Sequence, residues 1–336
     1  MATTKKQETP TKPEGADPVD VDDSADAEAT VGDSDDTAAP ADDGDEDTLV
    51  LQEPMNPDAA LAAPTVEAPA PFPDDSLDAM PGGSGLGAPG KGFGVGGLTD
   101  VGRVRELNED NWHWEPLNGD TALYAVADGM GGHDRGEVAS QVAVETLFDS
   151  ARLRLEAISE RDVPTLRKLL REAMQTANRA VVTMGEQQDS NMGTTLCSAL
   201  VHKDADAYIA NVGDSRVYLV RKGELQQVSQ DHSLVAYLVQ LGELTEEEAR
   251  NHPSGNILVR SIGSVPEVEI DLFHVAVEKG DRILLCSDGL WGEITDHDME
   301  SILAANPNPQ DACRVLVDTA NANGGRDNST LVLINI

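Results

Sequence analysis

Basic residues are scarce in this chain, and long apolar runs are absent. Its 336 residues include 24 Lys and Arg against 61 Asp and Glu. Nucleic acids and anionic membrane surfaces are bound through clustered Lys and Arg, so the composition excludes both as partners. No stretch approaches the roughly 18–20 apolar residues needed to span a bilayer. The N-terminus, MATTKKQETPTKPEG, carries lysines with no apolar segment behind them and does not read as a signal peptide. The three cysteines, Cys197, Cys286 and Cys313, form no CxxC pair and are odd in number. They read as buried free thiols in a reducing compartment, which predicts a soluble, cytoplasmic protein.

Composition changes near residue 93. Residues 1–93 hold 4 Lys, no Arg, no Trp and no Tyr, against 22 Asp and Glu. Such a segment buries too little apolar surface to offset its chain entropy, so it reads as a disordered acidic tail. It ends in the glycine-rich stretch 82–97, a flexible linker by composition. Within it, DGDEDTLVLQEP sets Thr48 between an acidic run and an apolar patch. That patch reads either as a solvated spacer or as a phospho-acceptor or docking motif.

Residues 94–336 carry the periodic segments and form the predicted folded domain. Apolar runs at 122–127, 195–201, 207–212, 216–220 and 282–287 predict strands. GDS between the third and fourth signals a hairpin. Helices are predicted over 136–158, 163–185 and 309–322 from apolar residues at helical spacing. Strands both paired locally and separated by helices suggest an α+β fold, an antiparallel sheet core with helices outside it.

Acidic punctuation recurs along this domain: Glu109 and Asp110 in NEDNW, Asp128-Gly129 in VADGMGG, Asp288-Gly289 in LLCSDGLW, and Asp327-Asn328 in GGRDNST. A single Asp-Gly after a strand is ordinarily a turn. Two such endings plus two further acidic clusters suggest a site for hard divalent cations, which take carboxylate, carbonyl and water oxygens. Glycine after the aspartate lets a backbone carbonyl approach the ion. Without a cation the crowded carboxylates repel, and some take up protons. Arg105, four residues before Glu109, has the planar fork that suits two phosphate oxygens, although alone it reads as a surface ion pair.

TDVGRVRELNEDN, AVADGMGGHDRGEVAS, MGTTLCSAL, ANVGDSRVYLV, SQDHSLV, LVRSIG, GDRILLCSDGLWGEITD and GGRDNSTLVL, in this order, resemble the motifs of the PPM (protein phosphatase 2C) family, bacterial type. These are metal-dependent protein serine/threonine phosphatases. The resemblance implies a central sandwich of two antiparallel sheets flanked on both sides by helices. It implies two catalytic Mn²⁺ or Mg²⁺ ions and a third ion. Asp128 would bridge the first two, with the Gly129 carbonyl on one and Asp288 and Asp327 on the other. Glu109 and Asp110 would hold metal-bound waters, and Asp214 with Asp288 would hold the third ion. Arg105 would orient the substrate phosphate, and residues 231–263 would form a flap beside the site.

In the mechanism the resemblance implies, hydroxide between two ions roughly 3.5–4 Å apart attacks phosphorus in line. Met130 stands where many eukaryotic members have a histidine that serves as candidate acid. His133 or water is then left to protonate the leaving alkoxide. Cys286 is not needed as a nucleophile, and His232 reads as structural. Expected partners are phosphorylated proteins, including a Ser/Thr kinase, acted on by a monomer. Two other readings stand beside this one. A phosphoprotein-binding pseudo-enzyme would lack the metal carboxylates, and a phosphatase dedicated to one partner-switching pathway would carry a sensory or membrane segment.

Overall fold

Leu123 to Ala127 is an unbroken apolar run because its strand is covered on both faces. The side chains of Leu123, Ala125 and Ala127 enter one core, and those of Tyr124 and Val126 enter another. Strands buried on both faces have no solvent side on which to place alternating polar residues. The computed structural model describes residues 94–131, 135–203, 205–250 and 252–336. The acidic tail, Thr48 and His133 lie outside the described residues.

The strands are β1 (Gly94–Asp100), β2 (Asp110–Asn118), β3 (Thr121–Met130), β4 (Gly193–Thr194), β5 (Leu196–His202), β6 (Asp206–Val212), β7 (Arg216–Arg221), β8 (Glu224–Gln227), β9 (Asp271–Ala276), β10 (Arg282–Cys286) and β11 (Ser329–Asn335). One sheet has the order β1-β11-β10-β7-β8; the other has β2-β3-β5-β6-β9, with β4 paired to β3. All pairings are antiparallel. Tyr124, Val126, Ile209, Val217, Leu285 and Val332 fill the space between the sheets.

Helices α1 (Gly136–Ala157) and α2 (Val163–Gln188) cover the outer face of the β3 sheet through Leu147, Leu155, Leu166, Leu170 and Met174. Beyond α2 come α3 (Leu234–Gln240) and α4 (Glu246–Arg250). The short α5 (Asp288–Trp291), α6 (Asp296–Ala305) and α7 (Pro309–Asn323) cover the other outer face through Leu290, Met299, Leu303, Cys313 and Leu316. The result is the expected sandwich with helices on both sides. Among the described residues no helix is long and apolar enough to cross a membrane.

Two sequence expectations are corrected. The linker predicted through residue 97 gives way to β1 at Gly94, paired along its whole length with β11. Its glycines make close packing possible: a Cβ on Gly96 would lie 2.4 Å from the Pro309 carbonyl carbon, and one on Gly97 2.3 Å from the Trp112 ring. The predicted GDS hairpin is instead a corner between sheets, since β6 and β7 belong to different ones. Gly213, at φ 107°, makes the turn against Thr195. That corner leaves Asp214 at the end of the sandwich rather than at the tip of a ribbon.

Candidate active site

One end of the sandwich gathers carboxylates from segments far apart in sequence. Asp110 opens β2 and stands opposite Asp128 on β3. Asp288 follows β10 at the start of α5, Asp327 precedes β11, and Asp214 occupies the corner after β6. Antiparallel pairing puts the start of one strand beside the end of its neighbour, so these acids converge. Asp128, Asp214, Asp288 and Asp327 line a cleft of about 180 Å³ together with Arg105, Glu109, Gly129, Met130, Thr195, Asn256 and Leu258. Asp110 lies just behind it, buried and hydrogen-bonded to Ser287.

The backbone around each acid is tightly held. The Asp128 N–H donates to Thr195 Oγ1 at 2.9 Å, and its carbonyl accepts from the Thr195 N–H and from Thr194 Oγ1, each at 2.8 Å. The two threonines thus fix the backbone at Asp128. A Cβ on Gly129 would sit 2.2 Å from the Gly136 carbonyl oxygen and 2.6 Å from that of Glu109. Only glycine fits there.

Asn328 joins the terminal strand to the segment carrying Arg105. Its Oδ1 accepts from the Glu109 N–H at 2.8 Å, and its Nδ2 donates to the carbonyls of Val101 and Leu107. Ser287 Oγ donates to Asp110 Oδ2 at 2.8 Å and accepts from the Thr330 N–H at 3.0 Å. Sequence reasoning passed over Ser287, Thr330, Asn256 and Leu258. Hydroxyls and amides beside a strand end read as ordinary turn chemistry, and the 231–263 segment carries no mark of which residues face the cleft.

Burial and mutual repulsion hold these carboxyls toward their protonated forms. Asp110 is pushed up to about 8, first by burial, and Asp288 to about 6, by burial and then by Asp327. Asp128 and Asp214 are raised well above the usual carboxylate range by burial and by neighbouring aspartates. Glu109 is raised by burial and by Glu137.

Asp110 Oδ1 and Asp288 Oδ1 are enclosed and meet no hydrogen-bond donor. A buried carboxylate oxygen in that condition is costly unless a cation faces it. The donor set, carboxylates plus a close-approach backbone carbonyl, fits a hard divalent ion. Among the described residues, however, no three His, Cys, Asp or Glu side chains already form a closed ligand set. Arg105 Nη2 donates to Asp327 Oδ2 at 2.5 Å. The arginine lines the cleft, with one terminal nitrogen engaged by Asp327.

His232 sits at the root of the predicted flap. Its Nδ1 accepts from the Gly213 N–H at 3.1 Å, and its Nε2 lies 3.2 Å from Asp271 Oδ2. Both ring nitrogens are engaged in structure, as predicted. All three cysteines are buried and unpaired; burial raises Cys197 and Cys313 to about 12 and Cys286 well above the usual thiol value. None is a poised thiolate.

The Protein phosphatase 2C family matches residues 102–323. Serine/threonine phosphatase stp of Listeria welshimeri is 41% identical over 238 residues, covering 70% of this chain and 93% of the relative. Protein phosphatase PhpP of Streptococcus pneumoniae is 36% identical over 241 residues, 71% of this chain and 96% of the relative. The serine/threonine phosphatase PstP/Ppp of Mycobacterium tuberculosis superposes with a TM-score of 0.64 at 34% identity, covering 73% of this chain and 98% of its own. A catalytic domain of PstP in complex with 2 manganese ions superposes with a TM-score of 0.61, also at 34% identity, over 72% of this chain and 97% of its own.

Proposed function

The chain belongs to the protein phosphatase 2C family, and from that premise we propose that its carboxylate cleft hydrolyses phosphoserine and phosphothreonine on proteins, in opposition to a Ser/Thr kinase. The observation that carries this reading is the convergence of Asp128, Asp214, Asp288 and Asp327 with Arg105 on one cleft. Residues 94–336 form the catalytic domain, with the acidic segment 1–93 appended to it.

Asp128, the Gly129 carbonyl, Asp288 and Asp327 hold two Mn²⁺ or Mg²⁺ ions in this proposal. Glu109 and Asp110 would help to hold them, and Asp214 with Asp288 would hold a third. Bound there, such ions would supply charge stabilisation at phosphoryl oxygens and would lower the pKa of water. The chain's own part is positioning. Arg105 releases Asp327 and turns its fork to two non-bridging phosphate oxygens, a charge-assisted bidentate contact. The threonine pair behind Asp128 and Asn328 behind Glu109 keep the acids from drifting as the substrate arrives. Asn256 and Leu258, from the 231–263 segment, border the entry and meet the peptide on either side of the phosphorylated residue.

A pseudo-enzyme would have lost metal carboxylates, and the sequence retains Asp128, Asp288 and Asp327. The test is hydrolysis of a phosphothreonine peptide by the full chain with Mn²⁺, Mg²⁺ or EDTA, beside Asp128→Ala. Turnover that needs metal and disappears in the variant is expected. A folded protein inactive with either metal would turn the reading toward phosphoprotein binding without hydrolysis.

A further inference from the structure

Behind the cleft lies a buried cation that the proposed chemistry does not use. Arg216 opens β7 with its side chain 14% exposed. Its Nε and Nη2 donate to the Asp231 carboxylate, the shortest contact being 2.7 Å. Its Nη1 donates to Tyr218 Oη at 3.0 Å. The flat face of the guanidinium lies 3.6 Å from the Trp291 ring centroid. Trp291 in turn donates its indole N–H to the Asp214 carbonyl at 3.1 Å.

This knot joins three segments. Asp214 is in the β6–β7 corner. Trp291 closes the one-turn helix that Asp288 opens. Asp231 precedes His232, whose ring and backbone are both bonded to Gly213 next to Asp214. A buried ion pair contributes little net stability compared with an apolar pair of the same shape. What this one supplies is direction: a planar fork on a carboxylate, a cation on an aromatic face, and one N–H on one carbonyl.

We propose that Arg216 and Trp291 are positioning residues that set the spacing of Asp214 against Asp288, and hence the affinity for the cation those two acids hold, while tying that spacing to the root of the 231–263 segment. The inference rests on the assignment of Asp214 and Asp288 to a third ion made above.

The experiment is calorimetric titration of the full-length chain with Mn²⁺ alone. It compares the wild type with Asp214→Ala, Trp291→Phe, Arg216→Lys and the Asp214→Ala/Trp291→Phe double variant, each first melted in EDTA to establish that it folds. Trp291→Phe keeps an aromatic ring beneath the guanidinium and removes the N–H together with the pyrrole part of the indole. Arg216→Lys keeps the charge and removes the fork. Groups that orient a ligand from behind are worth about 10–100-fold in metal affinity.

The expected result is that Asp214→Ala abolishes the weakest Mn²⁺ site. Trp291→Phe and Arg216→Lys should weaken that site about 10-fold or more and leave the tighter sites unchanged. The double variant should match Asp214→Ala, because both changes act on one site. If Arg216→Lys does not fold, Trp291→Phe carries the test. A weakest site lost in Asp214→Ala but unchanged in Trp291→Phe overturns the positioning role alone. Mn²⁺ binding unchanged in Asp214→Ala overturns the Asp214 assignment, and the inference falls with it.

Discussion

Asp128 and Asp288 are legible in the sequence because each ends an apolar run and precedes a glycine, and that pairing is informative when it recurs. The groups that hold them are not legible. Ser287 stands before Asp288 as an ordinary turn hydroxyl, yet its Oγ donates to Asp110 Oδ2 and accepts from the Thr330 N–H. Nothing local in the sequence announces a partner some 177 residues away. Removing that hydroxyl leaves a buried amide and a buried carboxyl each short of a partner. Ser287→Ala is therefore expected to cost about 1–3 kcal/mol. Urea unfolding in EDTA checks this, and an unchanged midpoint would mean that water replaces the hydroxyl at no cost. Gly129 admits a harsher prediction. A Cβ there would meet the carbonyl oxygens of Gly136 and Glu109 at 2.2 and 2.6 Å, and neither backbone can yield without opening β3 from α1. Gly129→Ala should fail to give a folded protein, as read by circular dichroism. A cooperative melt near that of the wild type would show that the two segments separate easily.

At the scale of elements, the long helices and the fully buried strands announce themselves, while the edges and corners do not. The helix predicted over 163–185 is α2, Val163–Gln188, and its buried face carries Leu166, Leu169, Leu170, Ala173, Ala177 and Val181. Strand β1 escapes notice because its glycines have the composition of a linker; what makes them a strand is the neighbours that need the missing side chains. The β6–β7 connection escapes for another reason. A short Gly-Asp-Ser turn between two apolar runs has the same local chemistry whether the second run pairs with the first or crosses to the other sheet. The choice is made by packing, where Ile209 and Val217 meet between the sheets rather than beside each other. The end of α2 offers a test of local backbone energetics. Its C-cap, Asp189, sits at φ 49° and ψ 46°, with its N–H on the Gly185 carbonyl. A non-glycine residue is disfavoured in that left-handed conformation, so Asp189→Gly should stabilise the protein by roughly 1 kcal/mol. Thermal melts should show a rise of about 2–4 °C; a fall would mean that the aspartate side chain contributes more than its backbone costs.

For the whole molecule, the fold concentrates charge that its sequence spreads out. A chain with net charge −37 can leave most of its acids in water. The sandwich instead brings Asp110, Asp128, Asp214 and Asp288 together at one end, Asp110 and Asp214 buried and the other two half-buried. Without a cation the cheapest remedy is protonation, and that makes stability depend on pH. Asp110 is held up to about 8 and Asp288 to about 6 in the folded state, whereas an unfolded chain returns both to the ordinary carboxylate value. Between the ordinary value and the raised ones, the folded state binds more protons than the unfolded state. The stability these groups contribute is thus fully present below about pH 4 and is lost as pH rises through about 6 and then about 8. His232 works in the opposite direction, since burial lowers its folded value and costs stability as pH falls below the ordinary histidine range. A substitution separates the two. Asp110→Asn keeps the shape and removes the titration, so in EDTA it should melt at a higher temperature than the wild type at pH 8, with the gap narrowing toward pH 5. Saturating Mn²⁺ should reverse the order at pH 8, because a cation stabilises the ionised cluster and binds more tightly as its ligands shed protons. Equal melting of the two proteins in EDTA across pH 5–8 would mean that the carboxylates relax into water before they protonate. The pocket would then be an open acidic surface, and metal affinity would have to arise from the few ligands that stay fixed.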